Sequence, residues 1–191
     1  CAPVKSYYTG GEINVLIAEE YSRAANGGVG FAKAAGNYAA QFYPTSEALK
    51  KGFQQIIWTD ASNHEYLEEA GTMNIFFKIK GTLVTSPTND RILDGITRKS
   101  IISLAKQDGI PVEERPIKVS EIKEAHENGT LEEIFGTGTA VVVLPIHSFS
   151  HQNESYRLPK ETPIALQLKE KLVGIQYNTG EDPFNWRQAV D

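Results

Sequence analysis

Short apolar runs, broken by glycine and proline, set out an alternating series of strands and helices along this chain. Ile13-Asn-Val-Leu-Ile17 follows a Gly10-Gly11 pair and reads as a strand. Residues 24–38 are rich in small side chains, with Gly27, Gly28, Gly30 and Gly36, a composition suited to a loop whose backbone approaches something closely. Residues 38–51 read as a helix closed by Gly52. Gln55-Ile-Ile-Trp58 reads as a short strand, and Asp60-Ala-Ser-Asn63 as the turn behind it. Residues 74–79 and 82–85 read as two strands joined through Lys80-Gly81. Residues 97–107 carry Ile101, Ile102, Leu104 and Ala105 at helical spacing and stop before Gly109. Beyond them, residues 112–119 predict a strand, and Ser120 predicts the cap of a short helix reaching His126. Residues 140–144 predict a buried strand ended by Pro145, and residues 163–173 a helix with proline in its first turn. Strands alternating with helices indicate an α/β domain. No repeat, low-complexity stretch or linker divides it.

Composition narrows the possible functions. At 191 residues, 40% hydrophobic and 23% charged, the chain suffices for one sizeable core. A net charge of −5 argues against a general nucleic-acid or anionic-membrane surface. No apolar run approaches the roughly 20 residues that span a bilayer, and no signal-peptide pattern opens the chain. Cys1 is the one cysteine, which excludes an internal disulfide and favours a reducing, cytoplasmic setting. An N-terminal cysteine can also be a nucleophile activated by its own α-amine. The plainer reading is that a longer protein has been cut here.

Four segments carry candidate chemistry, each with an ordinary alternative. Lys33 lies among small residues just before a helix, where burial would strip its charge and leave a nucleophile; most lysines are instead solvated. Glu69 precedes a small-residue turn leading into a strand, where it faces a ligand or simply serves the turn. Leu93-Asp-Gly-Ile-Thr97-Arg98 opens the best helix, and a helix start is either an anion site or a plain cap. Gly136-Thr-Gly-Thr139-Ala140 offers open amides and hydroxyls, or is a plain turn. His147 and His151 are too few for a metal site without nearby cysteine or carboxylate ligands.

Taken together, the segments bear a resemblance. Glu69, Gly71, Asn74, Ile75 and Phe76, then Leu83-x-Thr85, then Leu93-x-Gly95-Ile96-x-Arg98 resemble the signature of the class IV, or fold type IV, pyridoxal-phosphate aminotransferases, with every fixed position met. Lys33-Ala-Ala-Gly-Asn-Tyr38 resembles that family's Schiff-base lysine segment. Glu69-Ala-Gly-Thr-Met-Asn74, Phe135-Gly-Thr-Gly-Thr-Ala140 and the tail around Tyr177 and Trp186 resemble its branched-chain amino-acid members. The likeness covers essentially the whole chain. Asp94 departs from a frequent proline, and a Cys-x-x-Cys pair of some relatives is absent, since residues 141–144 are Val-Val-Val-Leu.

The resemblance implies a mixed α/β domain with a barrel-like sheet and flanking helices, residues 1–191 being the larger C-terminal, cofactor-binding domain. A smaller N-terminal domain, which supplies another phosphate-binding arginine and much of the pocket, is expected to be missing and the chain poorly active alone. It implies pyridoxal 5′-phosphate as cofactor, branched-chain L-amino acids and 2-oxoglutarate as substrates, a biosynthetic role and a homodimer in the intact enzyme. Lys33 is the implied catalytic residue. Tyr38, Glu69, Leu93, Gly95, Ile96, Thr97, Gly138 and Thr139 are implied cofactor contacts, with Arg23 behind Glu69. Tyr38, Thr72 and Ala140 are implied on the substrate side. The alternatives within the family are a D-amino-acid aminotransferase or an aminodeoxychorismate lyase. Outside catalysis, the chain would be a cofactor-binding or dimerisation domain.

Overall fold

The computed structural model describes residues 12–190. Cys1 and the Gly10-Gly11 pair lie outside the described residues, and both readings of Cys1 fall there. In chain order the elements are β1 (Asn14–Ile17), α1 (Ala35–Lys50), β2 (Gln55–Thr59), β3 (Tyr66–Ala70), β4 (Met73–Ile79), β5 (Thr82–Thr85), α2 (Ile96–Gln107), β6 (Val112–Glu114), β7 (Ile117–Lys118), α3 (Val119–Glu127), β8 (Leu131–Gly138), β9 (Val142–Ile146), β10 (Ser148–His151), β11 (Glu154–Arg157) and α4 (Pro163–Gln176). All strands join one mixed sheet in the order β11-β10-β1-β2-β3-β4-β5-β6, with β7 added to β3, β8 to β4, and β9 to β8. β1 runs parallel to both β2 and β10, and β5 runs parallel to β6; the remaining pairs are antiparallel. The sheet is therefore mixed and curls into a half-barrel.

Alternation along the strands sends apolar side chains to both faces of the curl. Val15, Ile57, Ile75, Phe77, Ile134 and Phe149 gather on one side with Ile122 of α3. Phe76, Leu83 and Phe135 point to the other, under Ile101 and Leu104 of α2 and Leu168 and Leu172 of α4. Phe76 and Phe135 stack there at 5.2 Å between centroids. Each such ring, fully buried, contributes roughly 1.5–3 kcal/mol. α1 covers Ile56 and Trp58 separately, through Ala48.

Several predicted elements shift for local reasons. α1 begins at Ala35, ahead of the expected residue 38, with no side-chain cap at its start. The predicted strand 112–119 divides at Pro116 into β6, on β5, and β7, on β3; proline has no N–H to continue a ladder. Ser120 is not the cap of α3: Lys118 holds that position, and Ser120 lies inside the first turn. Pro145 does not end its strand, because β9 pairs with β8 alone and an edge strand tolerates proline. β3, β8, β10 and β11 were not anticipated as strands. The start of α4 also lacks a cap of its own; Glu133 of β8 reaches across, accepting the Ile164 and Ala165 N–H groups at 3.0 and 2.9 Å.

Candidate active site

A cleft of about 250 Å³ opens where four segments meet at one end of the interior strands β3, β4 and β8: the glycine-rich loop before α1, the β3–β4 turn, the start of α2, and the end of β8. Every residue implied as catalytic, as a cofactor contact or on the substrate side lines it, except Ala140. Ala140 sits exposed in the β8–β9 turn, one residue beyond Thr139.

The glycine-rich loop is folded by its own backbone and by Asn37. Asn37 Nδ2 donates to the carbonyls of Val29 and Ala32 at 2.7 and 2.8 Å, and the Ala32 N–H closes on the Val29 carbonyl. Gly30 has to be glycine: a Cβ there would meet the Arg91 Cα and carbonyl at 2.8 Å. This places Lys33 at the rim of the cleft and Tyr38 half-buried beside it. Lys33 is exposed, so the burial that would strip its charge is not found.

Glu69 forms the cleft's buried charge. It stands in β3 just before a tight turn, Gly71-Thr72, whose first residue takes φ +57°, a left-handed conformation open to glycine. Glu69 is 5% exposed. Oε1 pairs with the Arg23 guanidinium at 3.0 Å, both side chains buried, and Oε2 accepts the Leu93 N–H at 3.1 Å. Burial nevertheless pushes its pKa up to about 7, against the pull of Arg23, the Leu93 amide and the nearby Lys33. Arg23 in turn donates to the carbonyls of Gly30 and Arg91, so the second-rank partner expected for Glu69 is in contact with it.

The start of α2 supplies an anion-binding end. Gly95 is its N-cap with no side-chain cap, which leaves the Ile96 and Thr97 amides without intrahelical partners beside the cleft. Asn74 fixes this end. It is buried in β4, its Nδ2 donates to the Leu93 carbonyl at 2.8 Å, and its Oδ1 lies where a Cβ on Gly95 would go. Arg98, one turn in and buried, binds the Ser86 carbonyl and Glu114. Gly138 and Thr139 line the cleft as well, as does Thr137, whose buried hydroxyl has no hydrogen-bond partner. Asn74, Asn37 and Thr137 were not singled out for roles. The signal for Asn74 is its fixed place in the motif; Asn37 and Thr137 lie in the Lys33–Tyr38 and Gly136–Ala140 segments, where nothing distinguishes them from their neighbours.

His147 Nδ1 accepts the Ile13 N–H at 3.0 Å, which occupies it in the sheet. Among the described residues no helix is long and apolar enough to cross a membrane.

A family model described as amino-transferase class IV matches residues 14–149. Over 193 residues the chain is 44% identical to branched-chain-amino-acid aminotransferase 2 of Bacillus subtilis, covering 99% of this chain and 53% of that protein. A crystal structure of the branched-chain aminotransferase from the archaeon Thermoproteus uzoniensis with norvaline matches with a TM-score of 0.80 at 28% identity, over 94% of this chain and 56% of that one. The branched-chain amino acid aminotransferase of Thermobaculum terrenum in its PLP form gives 0.75 at 25% identity, over 90% of this chain and 53% of that one. The chain spans about half the length of the curated relatives it matches.

Proposed function

The chain belongs to the amino-transferase class IV family, and from that premise we propose that it serves pyridoxal 5′-phosphate-dependent transamination of branched-chain L-amino acids, with 2-oxoglutarate as acceptor. Residues 1–191 act in this reading as the large, cofactor-binding domain. The observation that carries it is Glu69: a carboxylate buried in the floor of a cleft with Lys33 at the rim and an uncapped helix start alongside.

Three features of the cleft fit the cofactor. Open amides at Ile96 and Thr97 suit a phosphate, which a helix N-terminus attracts. The partnerless Thr137 hydroxyl marks a polar wall without a protein partner. Glu69 and Lys33 line the same cleft, one buried and the other exposed, where the two ends of one ring would lie between them. When bound, the pyridine ring supplies an electron sink for the pair left at the amino acid's α-carbon.

The chain's residues do the rest. Glu69, held by Arg23 and the Leu93 N–H, keeps a proton at the ring nitrogen, because an adjacent carboxylate favours the charged form. Lys33 Nζ would hold the cofactor, give up that bond to the substrate's amine, and then move a proton from the amino acid's α-carbon to the cofactor carbon that it had been bonded to. The Ile96 and Thr97 amides, the Thr97 hydroxyl, Gly138 and Thr139 bind phosphate, and Gly95 lets that loop close on Asn74. Tyr38 would donate to the cofactor's phenolic oxygen, Leu93 would pack against its ring, and Thr72, with the Ala140 amide just beyond the cleft wall at Thr139, would meet the substrate.

The rim is open: Val29, Phe31 and Ile96 stand 60%, 53% and 74% exposed around Lys33. A cleft that leaves its lysine in water neither orients substrate nor excludes solvent, and lost orientation alone costs on the order of a hundredfold. The 191-residue chain alone is therefore expected to transaminate poorly. Exposed Phe42 and Tyr43 on α1 support a covered, homodimeric state of the intact enzyme.

Borohydride reduction of the chain with pyridoxal 5′-phosphate should fix a pyridoxyl group on Lys33, and a coupled glutamate assay with leucine should read well under 10 turnovers per second, about the median enzyme. Label on another lysine and none on Lys33 would remove the reading.

A further inference from the structure

Resting on that cofactor reading, we propose that Glu68 and Arg91 are positioning residues: their ion pair, on the far side of β3 from the cleft, moors the backbone that holds both Glu69 and the Lys33 loop.

Glu68 precedes Glu69 in β3, and neighbours in a strand leave it on opposite sides. Glu69 lines the cleft; Glu68 lines a separate recess with Asp60, Ser86 and Asn89. Its side chain is 2% exposed, Oε1 takes the Arg91 Nε, and Oε2 has no hydrogen-bond partner. A buried carboxylate with one partner depends on that partner, unlike an exposed pair.

What the Arg91 side chain fixes is its own backbone, and the site hangs on that backbone. The Arg91 carbonyl accepts from Arg23, the residue that pairs with Glu69. Its Cα closes against Gly30, three residues before Lys33. Asp90 beside it accepts the Phe31 N–H on its carbonyl and the Gly27 N–H on its carboxylate. The Arg91 guanidinium also binds the Asn26 carboxamide, at the near end of the same loop. Two residues on, the Leu93 N–H meets Glu69 directly. Segment 90–93 thus holds Glu69 from two directions and carries the glycine-rich loop along its length. The Glu68–Arg91 pair sets where that segment sits on β3.

Three variants test this in the purified chain: Glu68→Gln, Arg91→Met, and both together. Amide exchange without cofactor should rise at Gly27 and Phe31 by about tenfold or more in Arg91→Met, with residues 75–79 unchanged. Cofactor affinity, from visible absorption on titrating pyridoxal 5′-phosphate, should fall by about tenfold or more, as misplaced groups do. The double variant removes the stranded buried charge, so its thermal midpoint should recover toward that of the native chain while its affinity stays low. A merely structural pair would recover both together, and that result overturns the proposal, as does native affinity in Arg91→Met. If the native chain takes up no cofactor at Lys33, the reading of the cleft fails; exchange at Gly27 and Phe31, which needs no cofactor, still decides whether the pair holds the loop.

Discussion

Replacing Glu69 by glutamine should flatten a loss of stability that the cofactor-free chain suffers between pH 5 and 8. Burial raises the Glu69 carboxyl from its ordinary 4.5 to about 7, with the neighbouring Glu68 charge adding to the rise and Arg23, the Leu93 amide and Lys33 opposing it. Between those two values the folded chain keeps the proton that the unfolded chain has released. Folding therefore binds protons in that window, and each step up in pH favours the unfolded state. The Glu69 contribution is fully present below pH 4.5 and is lost as pH rises through 7. Each tenfold change in proton affinity corresponds to about 1.4 kcal/mol, so the whole loss is on the order of 3 kcal/mol. For a domain of this size that is a midpoint lower by roughly 6–12 °C.

Glutamine has no proton to release, so its curve loses this slope, although the stranded Arg23 lowers it at every pH. His151 acts in the opposite sense: burial holds it below 6.5, and stability from it grows as pH rises to that value. His151 is common to both proteins, so the difference between their curves isolates Glu69. Thermal midpoints in half-unit steps of pH measure it. Saturating cofactor should remove the native slope as well, since a protonated ring nitrogen holds Glu69 in its charged form. Parallel curves for the native chain and Glu69→Gln would refute the reasoning, for they would mean that the Arg23 pair outweighs burial and Glu69 is charged throughout.

Gly95→Ala should lower cofactor affinity by about tenfold, because the added methyl overlaps Asn74 Oδ1 and breaks the Asn74–Leu93 hydrogen bond, worth about 1 kcal/mol in stability; an absorption titration beside a thermal melt checks both numbers. Glu133→Ala should cost about 1–3 kcal/mol in urea unfolding by orphaning the Ile164 and Ala165 N–H groups of α4, with cofactor affinity unchanged because Glu133 lies outside the cleft.

What the sequence made legible follows from where each signal lives. Apolar periodicity is local, so α2, α4, β1, β4 and β5 were read with their ends within a few residues. The composition of the glycine-rich loop predicts a close approach, and the structure supplies the partner, Arg91 at Gly30. β8 was hidden because Gly136, Thr137 and Gly138 look like a turn, whereas they stay extended through pairing with β4 and β9. Gly136 is glycine there because a Cβ would press on Met73 Sδ at 2.8 Å, a contact fixed by a strand sixty residues away.

β3 shows the same limit from the other side, and it explains why the site's charge sits where it does. Tyr-Leu-Glu-Glu-Ala has no strand pattern, for two adjacent carboxylates do not alternate with apolar residues. The segment is nonetheless a strand, buried at Leu67, Glu68, Glu69 and Ala70. It holds because each carboxylate meets an arginine brought from elsewhere in the chain: Arg91 behind, Arg23 in the cleft. Burial of a charge is tolerated only with such a partner; the family resemblance implies Arg23, but nothing in the sequence around Glu69 points to Arg91. The two arginines meet in turn where the Arg23 guanidinium binds the Arg91 carbonyl. A motif can therefore mark Glu69 as a candidate cofactor contact, but the electrostatic support that lets an acid be buried there is a property of the fold, distributed over a loop, a strand and the segment before α2.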